Sequence, residues 1–246
     1  MNVAIDAGNT LIKVGIFDND DRLEEMLSFS SSPIENIYTH LASQQFEKCI
    51  VSSVINLPDH IIKYLKFKSK HFIILDKNVK LPLGIKYKTP ETLGKDRIAL
   101  AVAASARFPG KDVLNISIGT CITYNFVNAK AVFLGGAISP GLHMRLRAMH
   151  EFTAGLPLIN LDESNFSLIG DNTANSMASG ILNGVAFEIE GYINELRKKY
   201  KNCEIILSGG DSRYLAGKLN IETEIEPDLA LIGLNIILKL NVPEKK

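Results

Sequence analysis

Apolar residues alternate with small and polar ones over the first seventeen positions, broken once by a polar insert. Val3, Ala4 and Ile5 read as a strand, and so do Ile12, Val14, Ile16 and Phe17. Asp6, Ala7, Gly8, Asn9 and Thr10 lie between them. Two strands around a glycine-bearing polar segment predict a hairpin with an open tip. Further on, apolar runs at residues 48–55 and 71–76 predict buried strands, and residues 59–66, after Pro58, predict a helix between them. Strands separated by helices predict a largely parallel sheet, and the opening hairpin makes it mixed. Residues 96–107 predict a helix that packs through Ile98, Leu100, Ala101, Ala103 and Ala104 and ends at Pro109-Gly110.

The opening design then returns. VAIDAGNTLIKVGIF and LNISIGTCITYNFV are both strand, small polar tip, strand, with Gly8 answered by Gly119 and Asn9 by Thr120. A repeat spaced by roughly 110 residues predicts two similar α/β halves, with the boundary at residue 111: residues 1–111 and 112–246. The second half continues with a strand and glycine-rich turn in AVFLGGAISPG and a helix over 143–154. A long helix follows, with Met177, Ile181, Val185, Ile189 and Ile193 four apart. CEIILSGGDSRYLAGKL reads as strand, glycine pair and helix, and residues 229–240 as a final apolar helix.

Composition narrows the chemistry. Lys plus Arg number 27, as do Asp plus Glu, so no excess of positive charge points to nucleic acid. Cys49, Cys121 and Cys203 are odd in number and widely spaced, with neither a disulfide framework nor zinc spacing. No signal-peptide pattern opens the chain, and 229–240 is too short to span a bilayer. The expectation is a cytoplasmic protein without membrane or nucleic-acid partners.

Several residues suggest a reaction. A glycine-bearing tip lets backbone amides approach an anion, Asn9 and Thr10 add side-chain donors, and Lys13 reaches the same place. Asp6 would repel a phosphate unless Mg²⁺ stood between them. A structural hairpin with a capped turn also fits this stretch taken alone. The matching tip at Gly119 and Thr120 favours a clamp on a polyphosphate, and no GxxxxGK[ST] P-loop occurs. In GKDR, Asp96 opens a helix whose dipole favours a carboxylate there. It fits an acidic helix start, or a general base for phosphoryl transfer to a hydroxyl. Arg97 suits a carboxylate or phosphate, or a surface ion pair. The glycine pairs of LSGGD and LGGAISPG suit either tight turns or close approach of a ligand. His143 and His150, seven apart beside Arg145 and Arg147, suggest a surface or subunit contact rather than a metal site.

Taken in order, IDAGNT, GKDR, IGTCITY, GGAISPGL, HEFTAGLP, GDNT and SGGD resemble the type III pantothenate kinases, of the superfamily of sugar kinases, acetate kinase and actin-like ATPases. The resemblance implies two duplicated ribonuclease-H-like halves, each with a mixed sheet, and a cleft between them holding ATP. It implies transfer of the γ-phosphoryl group to the primary hydroxyl of pantothenate, the first step of coenzyme A synthesis. By the same resemblance Asp6, Ala7, Gly8, Asn9, Thr10, Leu11, Ile12 and Lys13 bind the ATP phosphates, Asp6 supports Mg²⁺, and Thr120 contacts ATP from the other half. Asp96 is then the catalytic base, with Tyr87, Gly94, Lys95, Arg97 and Thr173 on pantothenate, in a homodimer whose substrate pocket lies near the interface. The family commonly has an acidic residue two before the second glycine, which helps hold a monovalent cation such as K⁺ or NH₄⁺. Ser117 stands there, and Asn125 stands where Asp is common. A hydroxyl does not replace a carboxylate's charge at a cation site. Lys95 is larger and more charged than the residue often found at its position. Two alternatives accompany the kinase reading: an ATP-binding regulatory homologue without turnover, and a related kinase of another small molecule.

Overall fold

The period-two pattern of the first strand decides which layer each side chain meets. In the computed structural model, which describes residues 1–30, 36–42, 44–161, 167–215 and 217–243, the elements run in the following order. They are β1 (Asn2–Ala7), β2 (Leu11–Phe17), β3 (Leu23–Ser30), α1 (Asn36–Ala42), β4 (Lys48–Ser53), α2 (Asp59–Lys68), β5 (His71–Ile74), β6 (Gly84–Ile85) and α3 (Lys95–Arg107). Then come β7 (Val113–Ile118), β8 (Cys121–Asn128), β9 (Val132–Gly135), β10 (Ile138–Pro140), α4 (Leu142–Glu151), α5 (Thr173–Lys199), β11 (Glu204–Ser208), β12 (Glu224–Ile225) and α6 (Leu229–Asn241). Two compact units result, Met1–Pro109 with Ala131–Leu134 and Leu229–Lys246, and Gly110–Lys130 with Gly135–Asp228.

The first unit is built on a mixed sheet ordered β3-β2-β1-β4-β5, antiparallel across the hairpins and parallel from β1 to β5. Val3, Ile5 and Ala7 face one way, onto Ile37 and Leu41 of α1 and Ile61 and Leu65 of α2. Ala4 faces the other way, with Ile50, onto Ala99 and Val102 of α3 and Leu231, Leu234 and Ile237 of α6. The second unit repeats the plan. Its strands β7, β11 and β12 run parallel, β8 is antiparallel to β7, and β10 is antiparallel to β8. The ring pairs Tyr124–Tyr192 at 4.3 Å and Phe126–Tyr200 at 4.4 Å pack α5 on this sheet.

Two expectations change. The sequence repeat put all of 112–246 in the second half, yet α6 gathers with the first unit. It buries Leu229, Leu231, Leu234, Ile237 and Leu238, too much apolar surface for one exposed face, and the α3 side of the first sheet receives it. After the Gly209-Gly210 pair the expected helix is a short 3₁₀ turn, Gly210–Tyr214.

The α3–α6 contact has little tolerance. A Cβ on Gly233 would lie 1.9 Å from the carbonyl oxygen of Ala99. Gly233→Ala therefore pushes the two helices apart and costs about 1–3 kcal/mol. Thermal unfolding of the variant should fall by several degrees, and an unchanged midpoint would contradict this packing.

Candidate active site

Asp6 belongs to the face of β1 that carries Ala4, the face covered by α3. Lys13 stands opposite it on β2 and Ser52 opposite it on β4. One carboxylate is thus flanked by an ammonium and a hydroxyl where the β1–β2 hairpin opens. The Gly8 N–H donates to the Leu11 carbonyl at 3.0 Å, which closes the tip, while Asn9, Thr10 and Leu11 are exposed. Ala7 and Ile12 are wholly buried, so their side chains serve the core and only their backbone faces the tip.

Asp96 lies in the first turn of α3 and is near enough to Asp6 for their charges to interact. Burial pushes the Asp6 carboxyl up from 3.8 to about 6, and the Asp96 charge adds to the rise. Ser52 and Lys13 oppose it less strongly. Near neutral pH the Asp6 carboxylate therefore stands against both burial and the neighbouring Asp96 charge, a strain that a cation would relieve.

The backbone aims Asp96. Gly94 is the N-cap of α3 and offers no side chain. A Cβ there would come within 2.4 Å of an Asp96 carboxylate oxygen, so the acid folds back over the glycine. Of its neighbours, Lys95 is partly exposed, whereas Arg97 is buried with its guanidinium 5.6 Å from the centre of the Phe133 ring. Tyr87 meets the same ring at 6.1 Å, so Tyr87 and Arg97 share one aromatic support.

The second unit matches this position by position, without the charge. Ser117 takes the place of Asp6, Thr123 that of Lys13 and Ser208 that of Ser52. Behind them Asn125 Nδ2 donates to Asn115 Oδ1 at 3.2 Å and to Thr123 Oγ1 at 3.1 Å, and Asn115 Nδ2 donates to Ser208 Oγ at 2.8 Å. A neutral buried network replaces the carboxylate pair. Thr120 is exposed at this tip. Two glycine turns press on the tip backbone: a Cβ on Gly141 would lie 1.9 Å from the Gly119 oxygen. One on Gly209, at φ +85°, would lie 2.3 Å from the Ile118 oxygen. Thr173 is exposed at the start of α5, next to the N-cap Asn172, which accepts from the Asn175 N–H at 2.9 Å.

His143 approaches Asp211 at 3.7 Å and His150 Nδ1 contacts the Leu156 carbonyl at 2.8 Å, and no cluster of three metal-ligating side chains occurs among the described residues. Glu188 on α5 accepts from Ser139, Arg145 and Tyr124. Burial would raise its pKa, but these hydrogen bonds outweigh burial and hold the carboxyl below its usual range.

In the first unit, then, Asp6, Lys13 and Asp96 come together, as do Tyr87 and Arg97; Thr120 and Thr173 belong to the second. Sequence reasoning missed Ser52, Phe133 and Glu188. The Ser52-Ser53 pair closing an apolar run was the signal for the first, whereas nothing in the sequence sets Glu188 apart from Glu190 and Glu195 on the same helix.

The model of a family described as type III pantothenate kinase matches residues 2–195. A protein of Christiangramia forsetii named type III pantothenate kinase is 44% identical over 243 residues, spanning 98% of this chain and 99% of its own. Among solved structures, a proposed Baf family transcriptional activator from Campylobacter jejuni is similar with a TM-score of 0.63 at 20% identity, covering 97% of this chain and 98% of that one. A proposed 2-dehydro-3-deoxygalactonokinase from Sinorhizobium meliloti reaches 0.61 at 12% identity, covering 100% and 98%. At such identities the likeness to these two is one of fold.

Proposed function

The chain belongs to the type III pantothenate kinase family, and on that premise we propose that it transfers the γ-phosphoryl group of ATP to the primary hydroxyl of pantothenate, in the route to coenzyme A. The observation that carries the reading is the charge coupling of Asp6 and Asp96, one carboxylate on the sheet and one on the helix start. Asp96 takes the proton of the attacking hydroxyl. Asp6 holds the metal. The buried Asp6 carboxylate fits a hard dication that shares its shell with phosphate and water. Mg²⁺ bound there would neutralise charge on the phosphate oxygens. Lys13 and the backbone of Gly8, Asn9 and Thr10 hold phosphates, and Thr120 contacts ATP from the second unit. Gly94, Lys95, Arg97, Tyr87 and Thr173 receive pantothenate, whose carboxylate suits a cationic partner.

The test is direct. With ATP and Mg²⁺ the purified protein should convert pantothenate to phosphopantothenate, followed by mass spectrometry. Preference for a sugar would overturn the acceptor, and no product with any acceptor would overturn turnover itself. We further propose a cytoplasmic homodimer, measurable as twice the chain mass by light scattering; no helix among the described residues is long and apolar enough to cross a membrane.

A monovalent cation does not fit the second tip, where Ser117, Thr123, Asn115 and Asn125 are neutral and Asn125 is already bonded to Asn115 and Thr123. The rate should be the same in Na⁺ and K⁺ buffers, and Ser117→Asp should introduce a K⁺ response of severalfold. A wild-type rate that depends on K⁺ would sink this assignment.

A further inference from the structure

We infer that Glu188 is a positioning residue, holding the turn at Gly141 against the Gly119–Thr120 tip and thereby setting how tightly that tip grips nucleotide. The inference rests on the reading of the tip as an ATP contact.

One carboxylate collects three elements. It accepts from the Tyr124 hydroxyl of β8 at 2.9 Å, from Ser139 Oγ of β10 at 2.6 Å and from an Arg145 NH of α4 at 2.5 Å. Arg145 reaches back through Nε to the Pro140 carbonyl at 2.8 Å. The chain between β10 and α4 is therefore clamped on both sides of Gly141. That residue is the point of contact with the tip: its N–H donates to the Thr120 carbonyl at 3.1 Å, and no Cβ could fit between it and the Gly119 oxygen. Any sag of the turn is passed to the tip backbone, because interiors packed this closely transmit displacement.

The clamp is not what keeps the unit folded. The Tyr124 N–H bonds the Ala137 carbonyl at 2.8 Å and the Ala137 N–H bonds the Tyr124 carbonyl at 3.2 Å, joining β8 to the start of this turn without Glu188. The Arg145 and Glu188 side chains retain 26% and 32% of their exposure, a setting in which an ion pair adds little stability. Three donors gathered on one partly exposed carboxylate, beside a backbone pairing made without it, point to placement.

The expected result is selective. Glu188→Ala should raise the KM for ATP about tenfold or more and leave the KM for pantothenate and the melting temperature nearly unchanged. Glu188→Gln keeps the size and the acceptor for Tyr124 and Ser139, so it should rescue most of the loss and rise only about threefold. Arg145→Ala should resemble Glu188→Ala, and the double variant should be no worse than either. Thr120→Val serves as the reference for the tip. If it weakens ATP and Glu188→Ala and Glu188→Gln do not, this inference alone falls. If Thr120→Val and the Glu188 variants all leave the ATP KM unchanged, the tip is no nucleotide contact and both readings fall. A Glu188→Gln protein that loses ATP, pantothenate and thermal stability together would make the residue structural and also overturn the inference.

Discussion

Asp96→Asn abolishes phosphoryl transfer while nucleotide still binds. The amide keeps the shape of the acid and its seat over Gly94, but it cannot take a proton, so kcat should fall by about 10²–10⁴. The ATP-binding groups proposed at Asp6–Lys13 and Thr120 do not include this oxygen, and the dissociation constant for ATP should move less than threefold. A second effect separates a lost base from a damaged fold. Asp96 helps to raise the Asp6 pKa, so removing its charge should lower that pKa, visible in the pH dependence of unfolding. Normal turnover by Asp96→Asn would overturn the base assignment.

Asp6→Asn inactivates the protein and makes it more stable. The Asp6 carboxyl binds its proton more tightly in the folded chain than in the unfolded one, at about 6 against 3.8. Between those two values the folded state holds the extra proton, so stability falls as pH rises through the window and the full penalty applies above pH 6. A rise of this size corresponds to about 3 kcal/mol. Asn carries no charge to desolvate and none to repel Asp96. At pH 7.5, without ATP or metal, the variant should therefore gain about 1–3 kcal/mol, roughly 3–10 °C in melting temperature. The gain should vanish near pH 4. Saturating Mg²⁺ and ATP should narrow the difference at pH 7.5 by stabilising only the native Asp6 form. An Asp6→Asn protein less stable than the parent at pH 7.5 would mean the carboxylate is not held under strain. A stability gain with loss of function at the same residue is the signature expected where charge is kept in an unfavourable place for chemistry.

The hairpins, the long α5 and α3 with its GKDR start were legible in the sequence because each rests on local rules: alternation, a period near four, and glycine or proline at the ends. The same rules missed α1 and β3, where the polar positions of LEEMLSFS blur the alternation. They also extended a helix past Gly209-Gly210, where the positive φ of Gly209 and Gly217 confines the chain to one 3₁₀ turn. The candidate site followed the same division. Asp6, Lys13 and Asp96 stood out as charges in glycine-bearing segments. Ser52 and Phe133 did not, because their neighbours in space are strands and helices far away in sequence.

The order of residues by itself determined the duplicated strand–tip–strand design and the chemistry each tip can offer, a carboxylate in the first and a hydroxyl in the second. Tertiary structure alone decided that α6 returns to the first unit, that Asp6 and Asp96 share one electrostatic neighbourhood, and that Glu188 ties down the Gly141 turn. The reason is that alternation and periodicity assign a side chain to a face, whereas the partner of that face is chosen by packing between segments far apart in sequence.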